Sequence, residues 1–280
     1  MTPTLTLGDA LRRAVVQLSK TSDTARLDAE LLLAHSLGRE RIELYTEFDR
    51  PLSGTEVDGF RALLARRALR EPVAYILGEW GFRRLTLAVD RRALIPRPET
   101  EIVVERCLAR LREIEAPRVL DVGTGTGAIA LALADELPGA RVTAIDVSAD
   151  ALALARENVA RTGLDVELLE HDLLAGLPFG PWDLVVSNPP YVAPEEIDSL
   201  MPDVRDYEPH LALVGRDVTE AVARAALAQL TDGGWLVLEV GDGQAPATAA
   251  LLDELGYADV ATTTDLTGRD RVLEGRRVGG

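Results

Sequence analysis

"RVLDVGTGTGAIALALADEL", residues 118–137, is the stretch of sequence that decides the fold. A short apolar run typical of a strand leads into three closely spaced glycines, Gly123, Gly125 and Gly127, and then into an apolar segment typical of a helix. Glycines at such a point let the backbone turn sharply and approach a ligand closely. The helix that follows presents free N–H groups and the positive end of its dipole. The stretch therefore predicts a strand–loop–helix unit whose loop binds a nucleotide-like ligand.

The glycine loop does not identify its ligand by itself. The spacing of Gly125, Gly127 and Ala130 also satisfies the dinucleotide fingerprint, so NAD and other adenosine-bearing cofactors both fit it. A plainer alternative is a tight strand-to-helix turn that binds nothing. The choice between these alternatives depends on the rest of the chain.

The alternation of strand and helix continues to the end of the chain. Further strands are predicted at "RVTAIDV", "DVELLE", "DLVVSN" and "GGWLVLEVG", and helices at "ADALALARENVARTG", "VTEAVARAALAQL" and "APATAALLDELG". The segments "ADVATTTD" and "RDRVLEGRR" are predicted as two antiparallel strands. This pattern predicts an α/β fold, with a doubly wound, mostly parallel sheet and helices on both faces. Such sheets bind ligands beyond the carboxyl ends of their strands.

Residues 1–72 differ from this pattern and predict a small helical bundle. Apolar residues recur at helical spacing in "TLGDALRRAVVQL" and "SDTARLDAELLLAHSLG". A third helix, with a capping box formed by Ser53 and Glu56, must end before Pro72. Because the bundle has no glycine-rich loop and no metal motif, we interpret it as a structural or docking module.

Residues 73–98 are predicted to form a hairpin or an extended linker, because aromatic residues are mixed there with alternating apolar positions. Residues 99–280 are then the main domain. Its first helix, "EIVVERCLARL", follows Thr100, which we predict as its capping residue.

Composition excludes several classes of protein. The chain has 280 residues, a formal net charge of −16 and a pI near 4.7, which disfavours direct binding to nucleic acid through a broad basic surface. One cysteine, Cys107, predicts a reducing, cytoplasmic setting. We see no signal peptide and no membrane-spanning run. The scattered histidines lack metal-ligand spacing, so no metal is expected.

Acidic residues follow the predicted strands at the ligand-binding edge. Asp146 ends the second strand, about 20 residues beyond the glycines, where a carboxylate can accept hydrogen bonds from both ribose hydroxyls. NAD and S-adenosylmethionine both carry such a ribose. Asp172, after the third strand, is placed to receive an adenine amino group, and Asp121 also lies near a strand end. An ordinary cap or loop role stays open for each aspartate.

The fourth strand ends in "SNPPY", residues 187–191. A residue before proline is held in extended geometry, which restricts Asn188, and the two prolines have fixed φ and no N–H group. The amide oxygen of Asn188 and the carbonyl of Pro189 can thus form a rigid pair of acceptors for an incoming –NH₂ group. Tyr191 offers a flat face on which a planar amide or base can stack.

Such a pair of acceptors solves a particular chemical problem. A carboxamide or aromatic amine nitrogen is a weak nucleophile, and two fixed acceptors orient its lone pair and offset the positive charge that grows during attack. This fits methyl transfer from a sulfonium, with no strong base obviously required. Hydride transfer has no need of the motif, and a proline-rich turn that merely closes the strand is the plainer alternative.

Several motifs together resemble one known family. "DVGTGTGAIALALA", "AIDVS", "VSNPPY" and "IPRPETE", with "DAELLLAHSLG" and "PVAYILGEWGF" in the first third, are similar to the HemK-type (PrmC) family of peptide chain release factor N5-glutamine methyltransferases. The resemblance spans nearly the whole chain. It implies a class I, Rossmann-like fold and methylation, from S-adenosylmethionine, of the glutamine side-chain amide in the Gly-Gly-Gln motif of release factors. It also implies that residues 1–72 dock the release factor.

The resemblance carries over to individual residues. Contacts with the methionine part, the ribose and the adenine of the cofactor are implied for Gly123, Thr124, Gly125, Thr126, Gly127, Asp146, Asp172, Leu173 and Asn188. Asn188, Pro189, Pro190 and Tyr191 would hold the glutamine amide, with Asn188 and Tyr191 catalytic. The family often has an aromatic residue where this chain has Leu173. Arg97 and Glu99 would lie near the site, without an assigned role.

Four alternatives stay open from sequence. A glutamine methyltransferase acting on a ribosomal protein shares the core and NPPY, but we expect its linker motif to differ from "IPRPETE". An adenine-N6 methyltransferase of DNA or RNA conflicts with the acidic composition. A non-catalytic binding module would not need the intact glycines, Asp146 and NPPY. An NAD oxidoreductase would leave NPPY without a role.

Overall fold

The computed structural model describes residues 5–215 and 217–279. The chain divides into two compact units, the first formed by Met1–Gly78 with Met201–Tyr207 and the second by Glu79–Leu200 with Glu208–Gly280. The helices are α1 (Leu7–Leu18), α2 (Ala25–Leu37), α3 (Gly54–Ala68), α4 (Val73–Leu77), α5 (Thr100–Leu111), α6 (Ala128–Glu136), α7 (Ala149–Thr162), α8 (Pro202–Arg205), α9 (His210–Leu213), α10 (Val218–Gln229) and α11 (Ala245–Leu255). The strands are β1 (Glu79–Phe82), β2 (Leu85–Ala88), β3 (Arg118–Val122), β4 (Arg141–Asp146), β5 (Val166–Glu170), β6 (Trp182–Ser187), β7 (Leu230–Glu239), β8 (Ala258–Thr264) and β9 (Asp270–Arg276).

The first unit is a helical bundle, formed by helices with clear sequence signals. Ser53 and Glu56 form the predicted capping box at the start of α3, each side chain accepting the other residue's backbone N–H. Helix α2 ends at Gly38, which has a left-handed conformation with φ of 61°. A three-ten helix, Arg41–Thr46, connects α2 to α3.

The first unit extends beyond residue 72, where the sequence placed the start of the hairpin or linker. Val73–Leu77 forms α4, and the carbonyls of Tyr75 and Ile76 accept hydrogen bonds from the Arg66 guanidinium in α3, at 3.4 and 3.5 Å. These contacts keep α4 with the bundle, so the hairpin β1–β2 begins only at Glu79.

A seven-stranded sheet forms the second unit, in the order β5-β4-β3-β6-β7-β9-β8. The first five strands are parallel, and β9 runs antiparallel to both neighbours. Apolar side chains of α5 and α6 pack with the hairpin on one face, and those of α10 and α11 pack on the other. The predicted doubly wound, mostly parallel sheet with a helical N-terminal region is confirmed.

The register of the parallel strands sets where the loops lie. Val122, the last residue of β3, pairs with Ile145 on β4 and with Ser187 on β6. The loops after these three strands therefore begin at the same edge of the sheet. Over residues 5–215 and 217–279, no helix is long and apolar enough to cross a membrane.

A buried ion pair ties the first unit together. The carboxylate of Asp28 in α2 accepts from Arg67 Nε of α3 at 2.7 Å and from the hydroxyls of Ser22 and Thr24, and both charged side chains are 6% exposed. Arg67 also faces Asp203 in α8, at 3.5 Å. Removing one partner of such a pair leaves an uncompensated buried charge.

Asp28→Ala is therefore expected to lower the free energy of unfolding, measured in urea, by about 3 kcal/mol. Asp58→Ala on α3 is the control, because the pair of Asp58 with Arg61 is exposed and 3.7 Å long; we expect a change below about 0.5 kcal/mol. If both variants were equally stable, Asp28 would not be the group that compensates Arg67.

Candidate active site

A cavity of about 600 Å³ with mostly apolar walls opens at the carboxyl edge of the parallel strands. It is large enough for a ligand the size of a nucleoside derivative. The glycine loop, the end of β4, the segment after β5, the NPP stretch after β6, residues 92–97 and the starts of α9 and α10 contribute to its wall. The cavity wall thus includes the loops in which the sequence analysis predicted ligand-binding residues.

Glycine is needed in the first loop because the backbone there is left-handed. Gly123 and Gly125 have φ of 74° and 56°, and both line the cavity together with Thr124 and Thr126. Gly127, predicted to contact the cofactor, does not line it. A Cβ at Gly127 would lie 3.3 Å from a methyl group of Leu131, so this glycine allows α6 to start close to its neighbours.

Asp146 links β4 to the glycine loop. One carboxylate oxygen accepts the N–H of Gly125 and the other accepts the N–H of Ser148, each at 2.9 Å. Burial raises the pKa of Asp146 and these backbone donors oppose the rise. Because a carboxylate has about four acceptor positions, two stay available for hydroxyl groups in the cavity.

Asp121 lies directly beneath the loop and is fully buried. Its Oδ2 accepts from the Thr124 hydroxyl at 2.6 Å, whereas its Oδ1 has no hydrogen-bond partner among the described residues. Burial raises its pKa to about 7, and the nearby Asp146 contributes to the rise. Asp121 is therefore not part of the cavity wall itself, but it orients Thr124, which is.

The segment after β5 forms another part of the cavity wall. Asp172 is exposed and accepts the N–H of Leu174 at 2.9 Å, which caps a three-ten turn that includes Leu173. His171 Nε2 is hydrogen-bonded to the Gly176 carbonyl at 2.6 Å and closes the turn. Both Asp172 and Leu173 line the cavity, where their placement fits an aromatic base.

The side chain of Asn188 is oriented by Thr100, for which the sequence analysis predicted a different role. Thr100 was predicted to cap α5, but it is the first helical residue, and its hydroxyl donates to the carboxylate of Glu239 at 2.6 Å. The same hydroxyl oxygen lies 3.4 Å from Asn188 Nδ2, which donates to it. The capping prediction was wrong because a partner distant in sequence competes for the hydroxyl. Because Nδ2 faces Thr100, Asn188 Oδ1 is the end of the amide that can accept a hydrogen bond from a ligand.

The remainder of the NPPY stretch is held from behind. A Cβ at Gly215 would lie 2.5 Å from the Pro190 carbonyl oxygen, so only glycine allows this approach. Gln244 Nε2 donates to the Tyr191 carbonyl at 3.0 Å. Asn188, Pro189 and Pro190 line the cavity, but Tyr191 does not: its ring packs beside Gly241, and burial raises its pKa.

Of the two residues without a predicted role, Arg97 lines the cavity and Glu99 does not. The guanidinium of Arg97 pairs with the buried carboxylate of Glu208, which also accepts the N–H of Ile95 at 3.2 Å. Glu208 thereby fixes the "IPRP" segment beside the site. Among the described residues, no three His, Cys, Asp or Glu side chains are grouped as a metal site.

The sequence analysis gave Thr100 a different role and did not identify three further supporting residues: Glu239, Gln244 and Glu208. Glu239 carried a usable signal, because it ends β7 at the same edge of the sheet as the other loops. The others are brought together only by tertiary packing.

Solved structures share the fold of the second unit. A methyltransferase from Pyrococcus furiosus is 19% identical with a TM-score of 0.51, and covers 69% of this chain and 89% of that one. The Thermus thermophilus 16S rRNA N2 G1207 methyltransferase, solved with AdoMet and guanosine, is 21% identical with a TM-score of 0.53, and covers 71% and 49%. At these identities the likeness shows the fold alone.

The sequence comparisons are more specific. The PrmC N-terminal domain model matches residues 9–78 and the methyltransferase small domain model matches residues 100–203. A release factor glutamine methyltransferase of Geobacter sulfurreducens is 43% identical over 92% of this chain and 91% of its own, and one of Deinococcus radiodurans is 44% identical over 98% and 99%. The chain therefore belongs to the release factor glutamine methyltransferase family.

Proposed function

We propose that this enzyme transfers a methyl group from S-adenosylmethionine to the side-chain amide nitrogen, N5, of the glutamine in the Gly-Gly-Gln motif of peptide chain release factors. The observation that carries the proposal is that Asn188, whose Nδ2 donates to Thr100, and Pro189 line the same cavity as the glycine loop and bring two acceptor oxygens to it. Membership of the family supports glutamine as the substrate, since the acceptor pair would also fit an adenine amino group.

The cavity fits S-adenosylmethionine. Asp146 has acceptor positions left for the ribose hydroxyls, and Gly123, Gly125 and Thr124 allow close approach of the polar methionine end. Asp172 and Leu173 form the wall we assign to the adenine. When bound, S-adenosylmethionine supplies an electrophilic methyl group on a sulfonium and leaves as S-adenosylhomocysteine.

The chain's own residues prepare the amide for attack. Asn188 Oδ1 and the Pro189 carbonyl accept the two N–H groups of the glutamine amide, which orients its nitrogen lone pair toward the methyl group. Both oxygens carry partial negative charge, so they offset the positive charge that develops on the nitrogen. The nitrogen loses one proton as the secondary amide forms, and we assign that proton to solvent. We call the acceptor pair of Asn188 and Pro189 the clamp. Tyr191 supports the clamp from behind, through the contacts of its carbonyl and ring.

Incubation with labelled S-adenosylmethionine and a panel of purified substrates tests the proposal. The panel contains a release factor, the same factor with the Gly-Gly-Gln glutamine changed to alanine, a ribosomal protein, and DNA and RNA. We expect label on the first substrate alone, at that glutamine. Label on nucleic acid or on the ribosomal protein instead would contradict the proposed substrate.

We further infer that the first unit docks the release factor, since it matches the family's N-terminal domain and contributes no residue to the described cavity wall. Binding energy from such a remote contact is missing from a peptide that carries only the Gly-Gly-Gln motif. We therefore expect the KM for the peptide to exceed that for the intact factor by about tenfold or more. Equal KM values would assign recognition to the catalytic unit.

Because release factors act on the ribosome, we infer that the reaction takes place in the cytoplasm. Cell fractionation tests this inference.

Asn188→Ala removes one of the two acceptors while leaving the glycine loop and Asp146 in place. By analogy with the loss of one preorganised charge-stabilising hydrogen bond, kcat is expected to fall by about 100-fold or more. The Kd for S-adenosylmethionine, measured by calorimetry, should change less than about threefold. Unchanged turnover would remove Asn188 from the mechanism.

Asp146→Ala removes the acceptors for the ribose and leaves the N–H of Gly125 without its partner. Two charge-assisted hydrogen bonds are lost, so the Kd for S-adenosylmethionine should rise by about 100-fold or more. Asp172→Ala is the comparison: this exposed side chain accepts one N–H, and we expect about tenfold. If calorimetry showed the larger loss for Asp172→Ala, the assignment of ribose and adenine walls would have to be exchanged.

A further inference from the structure

We propose that Thr100 and Glu239 are positioning residues for the methyl transfer, which fix the side-chain amide of Asn188 so that its oxygen, and not its nitrogen, faces the substrate. This inference rests on the proposed function and deepens it. It assigns a role to two residues that do not themselves hold the substrate amide.

The three side chains form a short chain of hydrogen bonds. Glu239 ends β7, Thr100 begins α5 and Asn188 follows β6, so three separate elements converge. Glu239 and Thr100 are 3% and 4% exposed, so the bulk solvent does not contact their hydrogen bond. The Thr100 hydroxyl lies 2.6 Å from Glu239 Oε2 and 3.4 Å from Asn188 Nδ2.

The direction of this chain follows from the number of hydrogens. A threonine hydroxyl has one hydrogen to donate, and an ionised carboxylate can only accept. With that hydrogen directed to Glu239, the Thr100 oxygen can only accept from Asn188, so the –NH₂ group of Asn188 faces Thr100. Asn188 Oδ1 is then directed to the cavity. The reverse orientation would place two N–H groups opposite the N–H groups of the substrate amide, which is repulsive.

The charge state of Glu239 therefore matters. Burial raises its pKa to about 7; the nearby Glu99 adds to the rise, while Thr100, Arg271 and Arg97 oppose it. Tyr191 also faces this carboxylate. Protonated Glu239 can donate to Thr100, and the Thr100 hydrogen is then free to hold Asn188 by its oxygen. Turnover should accordingly be lost as the pH falls through the pKa of Glu239, near pH 7.

Substitution of Thr100 separates positioning from packing. Thr100→Val keeps the shape of the side chain but removes the hydroxyl, and Thr100→Ser keeps the hydroxyl. We expect Thr100→Val to lower kcat by about tenfold to 100-fold, with the Kd for S-adenosylmethionine and the KM for the release factor within about threefold of wild type. Thr100→Ser should restore kcat to within about threefold. Wild-type kcat in Thr100→Val, or an equal loss in both variants, would overturn the proposal.

The pH profile of Glu239→Gln provides the second test. The glutamine side chain is neutral at every pH, and its –NH₂ group can donate to Thr100 as the protonated carboxyl does. We therefore expect this variant to have a kcat about tenfold or more below that of wild type above pH 8, and to lose the acid limb of the wild-type profile. If the acid limb of the pH profile persisted unchanged in Glu239→Gln, it would belong to another carboxyl, such as Asp121. That result would contradict the role of Glu239.

A third test, by NMR, observes the orientation of Asn188 without measuring turnover. The side-chain amide ¹⁵N–H signals of Asn188, identified by their absence in Asn188→Ala, should shift with pH in wild type and not in Glu239→Gln. Signals that respond equally in both proteins would overturn the proposal. If wild type does not methylate the glutamine at all, the proposed function fails, whereas methylation that is indifferent to Thr100→Val refutes this inference alone.

Discussion

The pairing of β3 with both β4 and β6 is the constraint on which the site depends. Because Val122 pairs with Ile145 and with Ser187, the residues that follow each strand must begin at one edge of the sheet. The glycine loop, Asp146 and Asn188 thus come together from positions far apart in sequence. A slip of one residue on any of these strands would turn its side chains to the other face and break the arrangement. The core on both faces of the sheet fixes the register.

Much of this architecture is readable from sequence because its signals are local. The capping box of Ser53 and Glu56, the helix end at Gly38 and the glycine loop each act within a few residues. Thr100 shows the limit of prediction from local sequence signals. It stands where a cap is expected, yet its hydroxyl donates to Glu239, 139 residues further on, and no local pattern reports that contact. The backing of the clamp by Gly215 is hidden for the same reason.

The NPPY stretch combines rigidity from its own covalent structure with rigidity from its surroundings. The two prolines fix φ and carry no N–H group that would need a partner beyond the end of β6. Thr100, Gly215 and Gln244 then hold the stretch from separate elements. Preorganised acceptors of this kind are effective because they need not rearrange as charge develops. In the mechanism that we propose, the clamp by itself would select a planar –NH₂ group. The preference for glutamine over adenine comes from the family to which the chain belongs.

The most direct test of this account is a crystal structure with S-adenosylhomocysteine and a release factor whose Gly-Gly-Gln loop is intact. We expect the glutamine amide nitrogen to lie about 2.9 Å from both Asn188 Oδ1 and the Pro189 carbonyl oxygen. We also expect the nitrogen lone pair to point to the cofactor sulfur. A glutamine amide bound elsewhere in the cavity, or held at Asn188 through its carbonyl oxygen, would contradict the central claim.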